Sequence, residues 1–312
     1  MVRFMPGRMV AAAVLSLAFS AGCERRQGEG QTQQTQAAQK EAAQKEPVQP
    51  VHAGPIQRVT VKGSDTMVHL VSSWAEAFMR ARPDVDVAVT GGGSGTGIAA
   101  LINGTTDICA ASRDMKPKER DEARKQGFEP KEIRVALDGI AVVVNPGNPV
   151  SVLTMEQVKK IFSGAVTNWK QVGGADASII VLSRESSSGT YVFFKEHVLG
   201  KEDYTKSARL LPATSAIIQS VSSDATAVGY VGLGYAIEAG SRVKMLRIKA
   251  DEASPAVTPS EATVKSGEYA IARPLFLYTR GEPTGAVKSF VEFALSAEGQ
   301  GIVVKTGYVS AK

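Results

Sequence analysis

The sequence predicts an α/β fold built as two lobes, and three observations carry that prediction. Short runs of β-branched and small apolar residues are each followed by a polar turn and then by apolar residues at helical spacing, the signature of strand, turn and helix in repetition. The 30 glycines concentrate in those turns. Two long apolar runs, Val135 to Asn145 and Glu268 to Tyr278, bracket the middle of the chain and are expected to cross between the lobes as a hinge. The chain has 312 residues, 43% hydrophobic and 21% charged, which is enough to bury one large core or two medium ones.

Order is expected from Arg58. Val59 and Val61 alternate as in a strand, and Gly63-Ser-Asp-Thr66 follows. Met67, Leu70, Val71, Trp74, Ala75 and Phe78 then fall at helical spacing up to Pro83. Val85, Val87 and Val89 form a second strand, which enters Gly91-Gly-Gly-Ser-Gly-Thr-Gly97 and a short helix with Ile98, Leu101 and Ile102. A strand over 107–111 leads into Ser112-Arg113-Asp114, and Pro117 opens a helix. After the first crossing come helix 154–162, strand 178–183, helices 191–198 and 214–222, and strand 228–231; after the second comes helix 284–297. The chain therefore leaves one lobe (58–140 plus 270–312), builds the other (141–269) and returns, with mixed sheets flanked by helices.

The N-terminus speaks to location. Arg3 and Arg8 precede the apolar stretch Val10 to Phe19, which is too short to span a bilayer and suits a signal peptide over 1–22. Ser20-Ala21-Gly22-Cys23 resembles a bacterial lipobox, with Ser20 where leucine is usual, so Cys23 is expected to be lipidated and to anchor the chain to a membrane. Residues 23–57 are rich in Gln, Ala, Glu, Lys and Pro, contain a repeated Ala-Ala-Gln-Lys-Glu unit and are expected to be a disordered tether. The formal charge of +5 includes Arg3 and Arg8 of the leader. No basic stripe is interleaved with aromatics, so nucleic acid is not an expected partner. Cys109 is the other cysteine and is expected to be a small core residue; two cysteines exclude a cysteine metal site.

Four turns share one design. Gly63-Ser64-Asp65-Thr66 and Gly91 to Gly97, with Ser94 and Thr96, precede helices; Ser112-Arg113 ends a strand; Arg184-Glu-Ser-Ser-Ser188-Gly189-Thr190 precedes a helix. The first N–H groups of a helix have no internal acceptor and carry partial positive charge. Glycine lets a ligand approach them, hydroxyls add neutral donors, and the planar fork of Arg184 matches two oxygens, so together they suit a small oxyanion. Any one serine or threonine could equally serve as a helix cap. Enzyme patterns fit less well. No lysine follows Gly97, so there is no P-loop. Thr96 stands where a nucleophile elbow around Ser94 needs glycine. Gly95-Thr-Gly97-Ile-Ala-Ala100, with Asp114 further on, matches a dinucleotide pattern only weakly. His52 lies in the tether, His69 and His197 lie inside helices, and none is placed by sequence as a base beside a hydroxyl.

Seven segments in order carry a family likeness: Gly63-Ser-Asp-Thr66, Gly91–Gly97, Asp107-Ile with Ser112-Arg113, Asn145-Pro-Gly-Asn-Pro149, Ile161-Phe-Ser-Gly with Asn168-Trp169, Arg184–Thr190, and Gly229-Tyr-Val-Gly-Leu233. Together they resemble the phosphate-binding proteins of Pst-type ABC importers, over about 58–312. The resemblance implies a two-lobed periplasmic-binding-protein fold of type II, which closes on inorganic phosphate and docks on an ABC permease and its ATPase. It implies no cofactor, no metal and no catalysis, and a protein acting as a monomer. The implied ligand positions are Ser64, Thr66, the Met67 backbone N–H, Ser94, Ser112, Arg113, Arg184, Ser188, the Gly189 N–H and Thr190. Some members carry an aspartate at the position of Arg113 to accept the proton of phosphate; Asp65, Asp114 and Asp138 are the candidates for that task here. Trp169 and the aromatics Tyr191, Phe193 and Phe194 are expected to pack rather than to stack on a ligand. Three other readings stand beside this one: a binding protein for sulfate or molybdate, an exported phosphatase, and an adhesion or sensing lipoprotein.

Overall fold

A computed structural model describes residues 55–311, which form one compact unit. The signal peptide, the lipidation site at Cys23, His52 and the tether up to residue 54 lie outside the described residues, and Gln57 already opens the first strand.

The elements follow the periodicity of the sequence. β1 (Gln57–Gly63) buries Val59 and Val61 on alternate positions. A 3-10 turn, Asp65–Met67, leads into α1 (Val68–Ala81), which buries Leu70, Val71, Trp74, Ala75, Ala77 and Phe78 at helical spacing. Then come β2 (Val85–Thr90), α2 (Ser94–Ile102), β3 (Ile108–Ala111), α3 (Pro117–Lys125) and β4 (Pro130–Val144). The middle of the chain forms β5 (Val152–Thr154), α4 (Met155–Ser163), β6 (Ile180–Arg184), α5 (Gly189–His197), β7 (Arg209–Leu211), α6 (Thr214–Ser223) and β8 (Ala227–Gly232). The rest is α7 (Leu233–Ala239), β9 (Lys244–Met245), β10 (Arg247–Lys249), α8 (Glu261–Ser266), β11 (Ala272–Arg280), α9 (Gly285–Leu295), α10 (Ala297–Lys305) and β12 (Val309–Ser310).

A 10-stranded mixed sheet runs in the order β2-β1-β3-β11-β4-β8-β6-β7, with β9 and β12 also on β4. β2, β1 and β3 are parallel to one another, as are β8, β6 and β7. Between these parallel groups the pairings are antiparallel. The 15 residues of β4 make the join. From Pro130 to Gly139 it pairs with β11, and from Ile140 to Val144 it pairs with β8. The join is stitched by Ile140 N–H donating to Ile271 O at 2.8 Å and by the Tyr269 hydroxyl donating to Ile140 O at 2.8 Å. One core group, with Val59, Leu70, Trp74, Phe78, Leu275 and Phe290, lies on one side of the join. Another, with Val142, Phe162, Trp169, Phe194 and Tyr230, lies on the other.

Several elements depart from the sequence reading: the second crossing run forms a strand over Ala272–Arg280 rather than over 268–278, and β5, β7, β9, β10, β12, α7 and α8 are not foreseen by it. The glycine-rich turn is shorter than Gly91–Gly97, because α2 begins at Ser94 and takes up Gly95 and Gly97. A Cβ on Gly97 would stand 2.5 Å from Gly63 Cα and from Lys62 O, so this face of the helix rests on the β1 backbone. The C-terminal helix is two helices: Ser296 breaks it, and its Oγ accepts from Gly299 N–H to start α10. β4 begins at Pro130, before the apolar run, because Pro130 to Leu137 pair with β11 although Lys131, Glu132 and Arg134 are exposed.

Gly63 ends β1 at φ +146°, and a Cβ there would stand 2.1 Å from Ala110 O. Backbone strain and overpacking then add, so Gly63→Ala is expected to cost about 3 kcal/mol or more in a guanidinium titration. Cys109 is wholly buried, and burial pushes its thiol far above the usual range. Iodoacetamide at pH 8 is therefore expected to leave the Cys109 peptide unlabelled in the native protein and to label it fully in denaturant, as read by mass spectrometry.

Candidate functional site

The hydroxyl-bearing turns all follow the C-terminal ends of parallel strands. β1 ends at Gly63, before Ser64 and Thr66; β3 ends at Ala111, before Ser112; β6 ends at Arg184, before Ser188 and α5; β2 runs into the turn that starts α2 at Ser94. In open α/β sheets, strand C-termini meet helix N-termini on one side, so ligand-facing groups gather there. The antiparallel join brings the ends of the two parallel groups together.

Six residues meet in one buried cluster. Ser94 and Ser112 are wholly buried, and Ser64, Thr66 and Thr190 are no more than 3% exposed. Ser64 Oγ donates to Ser112 Oγ at 2.8 Å, and Ser94 and Ser112 share a hydroxyl bond of 3.2 Å. Ser94 Oγ also accepts from Ser112 N–H at 3.0 Å. Across the join, Thr66 and Thr190 share a bond of 2.8 Å. Gly189 begins α5, so its N–H has no intrahelical acceptor. The approach is close enough that only glycine fits: a Cβ on Gly189 would stand 2.2 Å from Ser94 Oγ and 2.7 Å from Ser112 Oγ. Gly95 N–H donates to Ser187 O at 3.0 Å beside this contact.

The charged residues are arranged differently from the sequence expectation. Arg184 is 2% exposed. Its Nε donates to Leu211 O at 3.2 Å, Nη1 to Thr214 Oγ1 at 2.7 Å and Nη2 to Pro212 O at 2.7 Å. It pairs with Asp65 at 3.2 Å, and Asp65 also accepts from Thr214 N–H at 2.7 Å. The cluster hydroxyls are not among the Arg184 partners, because the loop before α6 supplies carbonyls directly in front of the fork. Arg113 meets Glu119 with both ends, at 2.8 and 2.7 Å. Burial alone would raise the Glu119 carboxyl, yet hydrogen bonds from Arg113 and the Lys116 N–H, with their charges, hold it below the ordinary range. The Arg113 Nε, next in sequence to Ser112, is buried without a partner.

A third buried arginine, which the sequence reading did not single out, touches the cluster directly. Arg273 on β11 donates from Nη2 to Thr190 Oγ1 at 2.9 Å. Its Nε and Nη2 also meet Asp138 Oδ2, at 3.3 and 3.0 Å, and the two residues are register partners in the β4–β11 ladder. Leu233 N–H, at the start of α7, donates to Asp138 Oδ1 at 3.1 Å. Burial raises the Asp138 carboxyl above its ordinary value, against the pull of Arg273 and that N–H. Of the three candidate acids, Asp114 is exposed, Asp65 is committed to Arg184 and Thr214, and Asp138 is the one in contact with a cluster residue's partner. A signal for the pair was available: Asp138 is the one charged residue in its apolar run, and Arg273 is the one charged residue from Tyr269 to Tyr278.

The remaining expected positions are structural in their local bonding. Met67 N–H donates to Ser64 O at 3.0 Å, closing the turn that presents Thr66. Ser188 Oγ caps α5, accepting from Thr190 and Tyr191 N–H. Trp169 is buried and donates from Nε1 to Thr226 O at 2.9 Å. Phe194 stacks on Tyr230 at 4.1 Å and Tyr191 on Tyr204 at 4.7 Å, so these aromatics pack. His197 bonds Ala270 O at 2.9 Å and His69 lies 3.5 Å from Glu238, both away from the hydroxyls. A cavity of about 260 Å³ lined by Arg113, Lys116, Phe193, Glu196 and Arg273 adjoins the two arginines.

A model of the PBP superfamily domain matches residues 29–298. The phosphate-binding protein PstS of Pseudomonas aeruginosa is 33% identical over 264 residues, covering 79% of this chain and 81% of that protein. PstS of Staphylococcus haemolyticus is 33% identical over 256 residues, covering 80% of each. Among solved structures, a Clostridium perfringens protein named as a phosphate ABC transporter substrate-binding protein, with bound phosphate, is 33% identical with a TM-score of 0.74, over 82% of this chain and 100% of that one. An ABC-type phosphate transport receptor from Vibrio cholerae is 31% identical with a TM-score of 0.65, over 80% of this chain and 99% of that one. The chain has the α/β fold of these proteins and belongs to the PBP superfamily, within the family of the phosphate-binding proteins PstS.

Proposed function

We propose that this chain is an exported receptor that captures inorganic phosphate and delivers it to the permease of an ABC importer, and that it performs no catalysis itself. One observation carries the reading: Ser64, Thr66, Ser94 and Ser112 meet Gly189 and Thr190 from the other side of the join in a cluster shielded from water. Neutral hydroxyls and a helix-start N–H bind a small, fully desolvated oxyanion without demanding many cations. The names and sequence identity of the relatives support phosphate as that anion.

In this reading Ser64, Thr66, Ser94, Ser112, Thr190 and the Gly189 N–H are the ligands, and Arg113 contributes through Nε. Ser188 and Met67 hold the two turns in shape, and Arg184 acts by fixing Asp65 and Thr214 across the join. Residues 58–140 with 270–312 form one lobe and 141–269 the other, hinged where β4 and the segment that enters β11 pass between them. The anion favours the closed arrangement because only there do both lobes contact it. Asp138 accepts the proton of phosphate, which sulfate lacks. A lipid at Cys23 and the 23–57 tether keep the receptor at the membrane as a monomer, where the permease and its ATPase drive release.

Calorimetry of the protein against phosphate, arsenate, sulfate and molybdate tests this. Phosphate and arsenate, which share shape and proton, are expected to bind, and sulfate is not; tight sulfate or molybdate binding without phosphate binding sinks the phosphate assignment. Gly189→Ala places a methyl group against Ser94 and Ser112, and is expected to weaken phosphate binding at least about 100-fold, about 2.8 kcal/mol. Affinity within a few fold of the parent would move the site elsewhere.

A further inference from the structure

We propose that Arg273 is a direct ligand of the bound anion, supplied by the hinge strand β11 rather than by either lobe's loops. This rests on the oxyanion reading and adds to it a residue outside the hydroxyl turns.

Four observations converge. Arg273 is 2% exposed, so its charge is fully removed from water. Its donors on one edge are taken: Nε and Nη2 by Asp138, with Nη2 also on Thr190 Oγ1 at 2.9 Å. Its remaining nitrogen, Nη1, is buried with no hydrogen-bond partner, and among the described residues only Arg113 Nε shares that condition. A buried donor left unmatched costs as much as a lost hydrogen bond, and more on a charged group. Because Nη1 shares its carbon with Nη2, it lies one guanidinium edge from the Thr190–Thr66 hydroxyl pair. An anion seated against Thr66, Thr190 and Gly189 therefore falls within reach of that edge, and a planar fork suits two oxygens. The ring of Phe193, centred 5.4 Å from Arg273 Cζ, faces the guanidinium and accepts no conventional hydrogen bond.

The placement also explains why the cation sits on β11. Asp138 and Arg273 pair in register beside Gly139 and Ala272, the last pair before β4 passes from β11 to β8. A ligand carried there stays at the base of the cleft while the lobes move, so it can hold the anion before Thr66 and Thr190 meet across it. Arg184, by contrast, has its fork filled by Leu211, Pro212 and Thr214.

The test compares full-chain variants by calorimetry with inorganic phosphate and by thermal unfolding. Arg273→Met alone strands the Asp138 carboxylate, so Arg273→Gln, which keeps an amide donor toward Asp138 and Thr190 and removes the charge and the free fork nitrogen, is compared with the parent protein, and Arg273→Lys is the charge-keeping control. The glutamine variant is expected to bind phosphate about 100-fold more weakly than the parent. Its melting temperature without phosphate should stay near that of the parent, while the upward shift caused by phosphate is lost. A folded Arg273→Gln variant that binds within three-fold of the parent overturns the proposal, as does loss of binding on Arg184→Met with binding retained in Arg273→Gln. If the parent binds arsenate or molybdate but not phosphate, the phosphate assignment fails, and the same comparison made with the anion that binds still decides the role of Arg273.

Discussion

The antiparallel pairing of β4 with β11 is the constraint on which the rest of the structure depends. It carries the chain between two parallel strand groups and stacks their C-terminal ends against one another. Each parallel group alone would present a few helix starts to solvent, as many α/β sheets do. Joined through β4, the turns after β1, β2 and β3 meet the turn after β6, and hydroxyls distant in sequence come within hydrogen-bonding distance. The ladder also buries one acid and one base at the join, and such a pair is tolerable in a dry interior only when its hydrogen bonds are nearly complete.

The candidate site presents neutral dipoles more than net charge. Three buried arginines border it, and each has a carboxylate partner: Glu119 for Arg113, Asp65 for Arg184 and Asp138 for Arg273. What is left for an anion is a group of hydroxyls, the N–H at the head of α5 and the donors that the carboxylates do not use. In this structure the hydroxyls bond one another, so an oxyanion seated among them would replace those bonds with bonds to its own oxygens. Hydroxyls can also turn to donate or accept, which suits an anion carrying a proton. Glycine at 189 matters for shape: it lets the α5 backbone approach Ser94 and Ser112 more closely than any side chain would allow.

Much of this was legible along the chain. The strands with alternating valines, the helix with Trp74 and Phe78, and the two long crossing runs follow from periodicity, because burial of one face imposes a period on the sequence. The hydroxyl turns were legible as well, since serine, threonine and glycine at a helix start have a local backbone reason to be there. The second C-terminal helix was not read, because the Ser296 cap interrupts what looks like one continuous helical pattern. The roles of the arginines were not legible either. Arg184 sits in the turn that suggests an anion ligand, but the loop before α6 fills its fork. Arg273 sits in a strand whose apolar neighbours suggest only core.

By itself the sequence determined the α/β class, the longer strands and helices, the hydroxyl-rich turns and the family resemblance, because each depends on residues near one another in the chain. The tertiary structure alone decided which hydroxyls touch, that Asp138 and Arg273 face each other, and that Thr190 bridges Arg273 to Thr66. Those contacts join residues as far as 135 positions apart. They are set by strand register and by the packing of whole sheets, which no local pattern of side chains encodes.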